Sequence, residues 1–367
     1  MRYLVISDLH IGRGKFLEDG TENIKEDFDQ DEKLIEFFNY YEQYDEEIHL
    51  ILNGDIFNLL DFSQEELILE EGITEEMVLE SLERIFFIHQ DVFLSLKKFF
   101  KKHQGTYIIG NHDFGVVFPK AQEFIQNFLD KKIPFVEKFF HNEIYIEHGQ
   151  RFETVNHTSL EEAFVKNKKG KDILNIPWAS CYILHLLPKF KEKRRYMDKI
   201  RPMAAYIKWT MFHDTKFFFY MIYHSLIFIF YTLFGSKYKY RRASFSLSLF
   251  KKITIVSSFI NMAKQVLFKE EPSSKIVILG HTHIFEWRRF KENKYYFNSG
   301  CWNALYSMNI TQHAHIYGNY YVSIRIEESS VMNAKIKRWR GSWQPFTDEV
   351  KELFGNKKND QTKVFKI

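Results

Sequence analysis

Seven residues able to hold divalent cations fall in five short clusters: Asp8-Leu9-His10, Gly54-Asp55, Asn111 within Gly110-Asn111-His112-Asp113, His148-Gly149, and Gly280-His281-Thr282-His283. Carboxylate, imidazole and amide oxygen, without thiolate, suit Mn, Fe or Zn in a dinuclear site better than a structural zinc. Two cations a few ångströms apart need a shared ligand, and a carboxylate with two oxygens is the natural bridge. Asp55 is the candidate. One Asp-x-His or Gly-His-x-His arises readily by chance. Five clusters in order, each at the end of an apolar run, make one site.

The hydrophobic pattern supplies the elements that hold these clusters. Apolar runs over 3–6, 48–52, 106–109, 143–147 and 275–279 read as buried strands, and a cluster follows each one. Apolar residues at helical spacing mark helices over 31–44 and 119–129, and Thr74 caps one long helix running to about residue 102. The runs 295–300, 320–326 and 332–339 predict an antiparallel tail to the sheet, and 348–354 a short amphipathic helix. Between 151 and 272 the strand-helix alternation stops. The expected division is a discontinuous core, 1–150 and 273–345, a helical insertion over 151–272, and a C-terminal helix and tail over 346–367.

The ordered set of clusters resembles the calcineurin-like metallophosphoesterases, and its layout is nearest to the UDP-2,3-diacylglucosamine pyrophosphatases within them. The resemblance implies an α/β fold, a four-layer αββα sandwich with an inserted helical cap. It implies one metal held by Asp8, His10, Asp55 and His283 and another by Asp55, Asn111, His148 and His281. Of the divalent ions Mn is favoured, with Fe and Zn able to use the same ligands. A metal-bridging hydroxide then attacks phosphorus in line, breaking a phosphodiester or pyrophosphate bond. His112 would stabilise the transition state or protonate the leaving oxygen, with Asp113 hydrogen-bonded behind it to orient the ring. Two positions depart from the diacylglucosamine enzymes: His112 stands where Arg is usual, and Gln150 where the fourth motif usually has Asp. Gly54-Asp55-Ile56-Phe57-Asn58 departs from the serine/threonine protein phosphatases.

Substrate choice falls to the insertion. Residues 151–272 hold 22 Lys and Arg against 9 Asp and Glu, within a chain of net charge +3. They also hold many of its 38 Phe and 20 Tyr. Residues 217–234 are nearly continuous apolar, about the length of a membrane span. A single span is excluded by topology, because His148 before the insertion and His281 after it must meet at one metal. An interfacial or lid helix remains, flanked by Lys216, Lys237, Lys239, Arg241 and Arg242, with a well-buried core helix carrying a solvated basic face as the alternative, and seven more cations lie within 189–201. Basic flanks beside aromatic rings predict contact through 216–242 with an anionic membrane surface and a lipid-linked phosphoester substrate. Nucleic acid is the less favoured partner, since a phenylalanine-rich stretch makes a poor phosphate groove. A soluble nuclease or nucleotide phosphodiesterase, and a membrane-associated metal-binding module without turnover, are the competing readings. Cys181 and Cys301 form no CxxC pattern, and candidate ligands begin at Asp8, so the expectation is a cytoplasmic protein, peripheral on the inner face of the membrane.

Overall fold

The computed structural model describes residues 1–17, 19–62, 71–153, 155–230, 259–308, 315–316, 318–327 and 330–341. Its first half alternates strand and helix: β1 (Arg2–Ile6), α1 (Asp31–Glu42), β2 (Ile48–Asn53), α2 (Glu75–Ile88), α3 (Gln90–Phe100), β3 (Gln104–Ile108), α4 (Pro119–Leu129) and β4 (Phe135–Val136). A hairpin of β5 (Lys138–His141) and β6 (Ile144–Glu147) follows. The inserted region holds β7 (Phe164–Lys166), β8 (Asp172–Leu174), α5 (Trp178–Lys191), β9 (Ile200–Arg201), α6 (Met203–His213) and α7 (Thr215–Phe230). The chain then makes α8 (Phe259–Gln265), β10 (Ile276–Leu279), β11 (Glu286–Arg289), β12 (Tyr295–Asn298), β13 (Leu305–Ser307), β14 (His315–Ile316), β15 (Tyr320–Glu327) and β16 (Ser330–Arg338).

Two sheets carry the core, in strand orders β16-β15-β1-β2-β3-β4 and β11-β12-β10-β6-β5. Parallel pairing of β1, β2 and β3 demands crossovers, which the helices provide. Side chains alternate across each strand. Tyr3, Val5, Ile51 and Ile108 therefore face one way and pack with Ile144, Ile146, Ile276, Ile278 and Phe297 of the other sheet. Leu4, Ile6, Leu50 and Leu52 face the opposite way into a cluster with Leu34, Phe38, Ile85 and Phe99 of the helices. Tyr145, Val277 and Leu279 cover the far side of the second sheet with Ala263, Val266 and Leu267. The layers run helix, sheet, sheet, helix, as expected for an αββα sandwich.

Two elements differ from expectation. The long helix from Thr74 breaks at His89, whose backbone leaves the helical region (φ −104°, ψ 31°) and whose Nδ1 lies 2.7 Å from Asp31 Oδ1. The break turns α3 onto α1. The 295–300 run does not join an antiparallel tail: β12 pairs parallel with β10, and its antiparallel partner is β11, which charged and aromatic residues conceal in the sequence. β15 and β16 are antiparallel as expected, but they extend the first sheet beside β1.

The inserted region packs on the core rather than standing off it. Leu174, Cys181, Leu184, Phe190, Phe217, Met221 and Phe228 belong to the same apolar cluster as the helical face of the first sheet. Lys191, 3% exposed, reaches both oxygens of Asp27 at 3.0 Å and Asp198 at 2.7 Å. A buried ammonium is tolerated only with such partners. Strand β9 pairs parallel with β13, tying the insertion to the C-terminal part of the core. The expected 348–354 helix and the cations at 237, 239, 241 and 242 lie outside the described residues.

Candidate metal centre

All five clusters lie where a core strand ends; six of the expected ligands fall into close groups there, and Asn111 stands at the end of β3. The backbone N–H groups of Asp8 and His10 donate to the Gly54 and Asp55 carbonyls at 3.1 and 2.9 Å, which locks the first two clusters together. Asp8, His10, Asp55, His281 and His283 have φ between 51° and 69°. This left-handed backbone costs a non-glycine residue about 1 kcal/mol or more, and such strain collects at functional sites.

Two glycines make the close approach feasible. A Cβ on Gly110 would stand 2.2 Å from Asp55 Oδ1 and 2.5 Å from the Asp55 backbone nitrogen. At Gly54, whose φ is 75°, a Cβ would meet the His148 ring at 2.5 Å.

The side chains form overlapping groups. Asp8, His10 and His283 place one ligand atom each within 4.8 Å of one another, and so do Asp55, His148 and His281. A third such group, His10, Asp55 and His112, lies across them. Asp55 Oδ2 is 3.9 Å from His10 Nε2 and 3.1 Å from His148 Nε2, the location a bridging carboxylate needs. Asp55 Oδ1 accepts the His112 backbone N–H at 2.8 Å.

Ring nitrogens sort into donors and free lone pairs. His148 Nδ1 donates to the Asn53 carbonyl at 2.8 Å, leaving Nε2 as a lone pair that is buried and without a hydrogen bond. His281 does the reverse, with Nε2 3.0 Å from Glu153 Oε2 and Nδ1 buried and unpartnered. Asp8 Oδ1 and Asn111 Oδ1 are likewise buried without partners. Four orphaned acceptors on four converging strand ends would be costly unless cations occupied the space. The residues therefore fit a pair of divalent ions.

The buried carboxylates and imidazoles act strongly on one another. Burial pushes the Asp8 carboxyl up to about 6, and burial with the neighbouring His112 pushes His10 down to about 3. For Asp55 burial acts upward, but His148, His112 and His10 outweigh it and hold this carboxyl well below the usual range. His148 is raised to about 10, because Asp55 and Asp8 overcome the opposing effect of its burial.

His112 stands in the cluster, its ring edge-on to His10 at 4.6 Å, with Nδ1 buried and unpartnered. Asp113 does not orient it. Asp113 Oδ2 accepts from the Tyr107 hydroxyl at 2.5 Å and the Ile56 N–H at 2.8 Å, and Oδ1 accepts from the Gly110 N–H at 2.7 Å. Its carboxylate closes the Gly110–Asp113 turn on itself, so adjacency in sequence gave the wrong partner. Burial raises Asp113 to about 7.

Sequence reasoning missed two residues of the inserted region. Glu153 backs His281, and Arg201 donates toward His283 Nδ1 at 3.3 Å. Glu153 follows His148 by five residues and carried a weak signal, the missing carboxylate at Gln150. Arg201 carried none, being one of seven cations within 189–201. Asn298 and Trp302 are structural: the Asn298 amide bridges Gly280 and Gly300, and the buried Trp302 indole donates to the Tyr320 carbonyl.

The model of the calcineurin-like phosphoesterase family matches residues 1–199. No curated protein matches the chain. It aligns with a dimetal phosphatase from Danio rerio at 10% identity, over 93% of this chain and 96% of that one, with a TM-score of 0.36. A conserved uncharacterized protein from Streptococcus pneumoniae aligns at 10% identity over 93% and 90%, TM-score 0.28. Vacuolar protein sorting 29 from Cryptosporidium parvum aligns at 12% over 92% and 96%, TM-score 0.27. Those overlaps are too low to bear on function, whereas the family model covers more than half of the sequence. The chain belongs to the calcineurin-like phosphoesterase family, a metal-dependent phosphoester hydrolase with a binuclear site for divalent cations.

Proposed function

We propose that this hydrolase cleaves a phosphodiester or pyrophosphate bond in a lipid-linked substrate, of the kind represented by UDP-2,3-diacylglucosamine, at an anionic membrane surface. The observation that carries the chemistry is the pair of close groups, Asp8 with His10 and His283 and Asp55 with His148 and His281, in which Asp8, His148 and His281 each keep a buried ligand atom without a partner. Two divalent cations there, Mn before Fe or Zn, supply a hydroxide nucleophile near neutral pH and neutralise charge gathering on the phosphoryl oxygens. Asp8, His10, Asp55 and His283 would hold one, and Asp55, Asn111, His148 and His281 the other. Asp55 fixes the third cluster through the His112 backbone, and the His112 ring gives the leaving oxygen its proton.

The lipid part rests on a different observation. α7 buries Phe217, Met221 and Phe228 but exposes Phe219, Tyr223, Leu226, Ile227 and Phe230, and α6 beside it exposes Trp209 and Phe212. Phe212, Phe219 and Phe230 are each about two-thirds exposed (65%, 65% and 67%). An apolar face of this extent beside basic residues suits an acyl boundary rather than water. Among the described residues no helix is long and apolar enough to cross a membrane, so the contact is interfacial.

Hydrolysis of an aryl phosphodiester and of a diphosphate diester with added Mn tests the chemistry; loss of both activities in His148→Ala supports it, and retention opposes it. Flotation with phosphatidylglycerol vesicles tests the surface. Serine at Phe212, Phe219 and Phe230 together should leave the protein in the soluble fraction, whereas unchanged flotation would favour a nucleotide phosphodiesterase working away from membranes.

A further inference from the structure

We infer that Glu153 is a positioning residue for the metal centre, selecting the ring nitrogen that His281 presents to the cation it shares with Asp55 and His148. This rests on the dinuclear reading. An ionised carboxylate only accepts hydrogen bonds, so the 3.0 Å contact from Glu153 Oε2, shorter than the 3.4 Å to the Asn156 amide nitrogen, puts the ring proton of His281 on Nε2. The lone pair is then on Nδ1, the atom that is buried, unpartnered and in company with Asp55 and His148. A carboxylate behind a ligating imidazole fixes its tautomer and makes the ring a stronger donor to metal.

Glu153 is itself held. The Asn156 amide, 8% exposed overall, donates to the same Oε2 at 2.6 Å, and the Glu153 carbonyl accepts the Asn156 N–H at 2.8 Å. The Phe259 ring lies beside His281, their centroids 5.9 Å apart. The other ligand of that group, His148, takes its orientation from the Asn53 backbone carbonyl, which no substitution can remove. The inserted region thus contributes the replaceable half of the arrangement, four residues past Gly149.

The full chain is compared with Glu153→Gln and Glu153→Leu. In calorimetric Mn titrations, one of two binding steps should weaken by about 10- to 100-fold in Glu153→Leu and by less in Glu153→Gln, whose amide oxygen still accepts, while the other step holds. Long-range proton–nitrogen NMR of the metal-free chains should show His281 with its proton on Nε2, giving way to mixed tautomers in Glu153→Leu. Unchanged affinities, an unchanged tautomer, or equal loss of both steps with a lowered melting temperature would each overturn the assignment. If the parent chain binds no Mn, the dinuclear reading fails, and the tautomer alone decides the role of Glu153.

Discussion

The Arg201 guanidinium lies 3.3 Å from Nδ1 of His283, on the side of the ring away from Asp8 and His10. A guanidinium only donates, so this contact occupies the Nδ1 lone pair and favours a proton on Nε2. That nitrogen is 3.1 Å from His10 Nε2 and 3.4 Å from Asp8 Oδ1, where a cation should sit. Arg201 therefore opposes metal at this position, both by tautomer and by like charge. Arg201→Gln should tighten one Mn-binding step by roughly fivefold, the equivalent of a ~1 kcal/mol hydrogen bond. Weaker binding in that variant, measured by calorimetry, would reverse the role assigned here.

His112 and Asp113 are separable because they share no hydrogen bond. His112→Ala should keep both metals and lose about 10²- to 10⁴-fold in kcat. The loss should be greater for an alkyl than for a nitrophenyl leaving group, since only the former needs a proton. Asp113→Asn should instead lower the melting temperature, having disturbed the turn bonded to Tyr107, Ile56 and Gly110. Equal leaving-group sensitivity in both variants would contradict this division.

Gly110→Ala tests the close approach of the second and third clusters. The added Cβ meets a backbone nitrogen at 2.5 Å, which cannot swing aside as a side chain could. The expected cost is about 1–3 kcal/mol of stability, together with loss of metal through displacement of Asp55. Chemical denaturation and metal analysis of the same preparation would check both, and a fully metallated variant would count against the packing described.

Acid stability should depend on His185, in the inserted region. It is 7% exposed beside Phe228, and burial, with lesser effects of Lys189 and Lys25, lowers it from 6.5 to about 4. A folded value below the unfolded one means that the unfolded chain binds the extra proton between those limits. Stability is thus intact above pH 6.5 and falls as the pH drops toward 4, by about 3 kcal/mol for this group. Urea unfolding at pH 7.5 and 5 should show a smaller difference in His185→Phe than in the parent; an equal difference would place the effect elsewhere.

The core was legible because its strands are apolar runs and every run ends in a chemically distinctive cluster. Asp8, Asp55 and His148 follow buried strands that the local apolar pattern marks. β11 was not legible, since Glu286-Trp287-Arg288-Arg289 lies mostly exposed at a sheet edge and has no apolar alternation. The His89 break was hidden too, because apolar spacing continues across it and only the contact with Asp31 reveals the turn. Glu153 and Arg201 reach the site through tertiary packing of the inserted region, of which local pattern carries no record for Arg201 and only the absent carboxylate at Gln150 for Glu153. Asp113 was assigned to its sequence neighbour, whereas the carboxylate folds back on its own turn.

The account stands most directly on the number of metals. Mass-spectrometric analysis of the chain after Mn loading and desalting should give two equivalents per chain, and Asp55→Ala should lose both, because that carboxylate lies between the two groups. Two equivalents retained in Asp55→Ala, or fewer than two in the parent, would contradict a shared dinuclear centre.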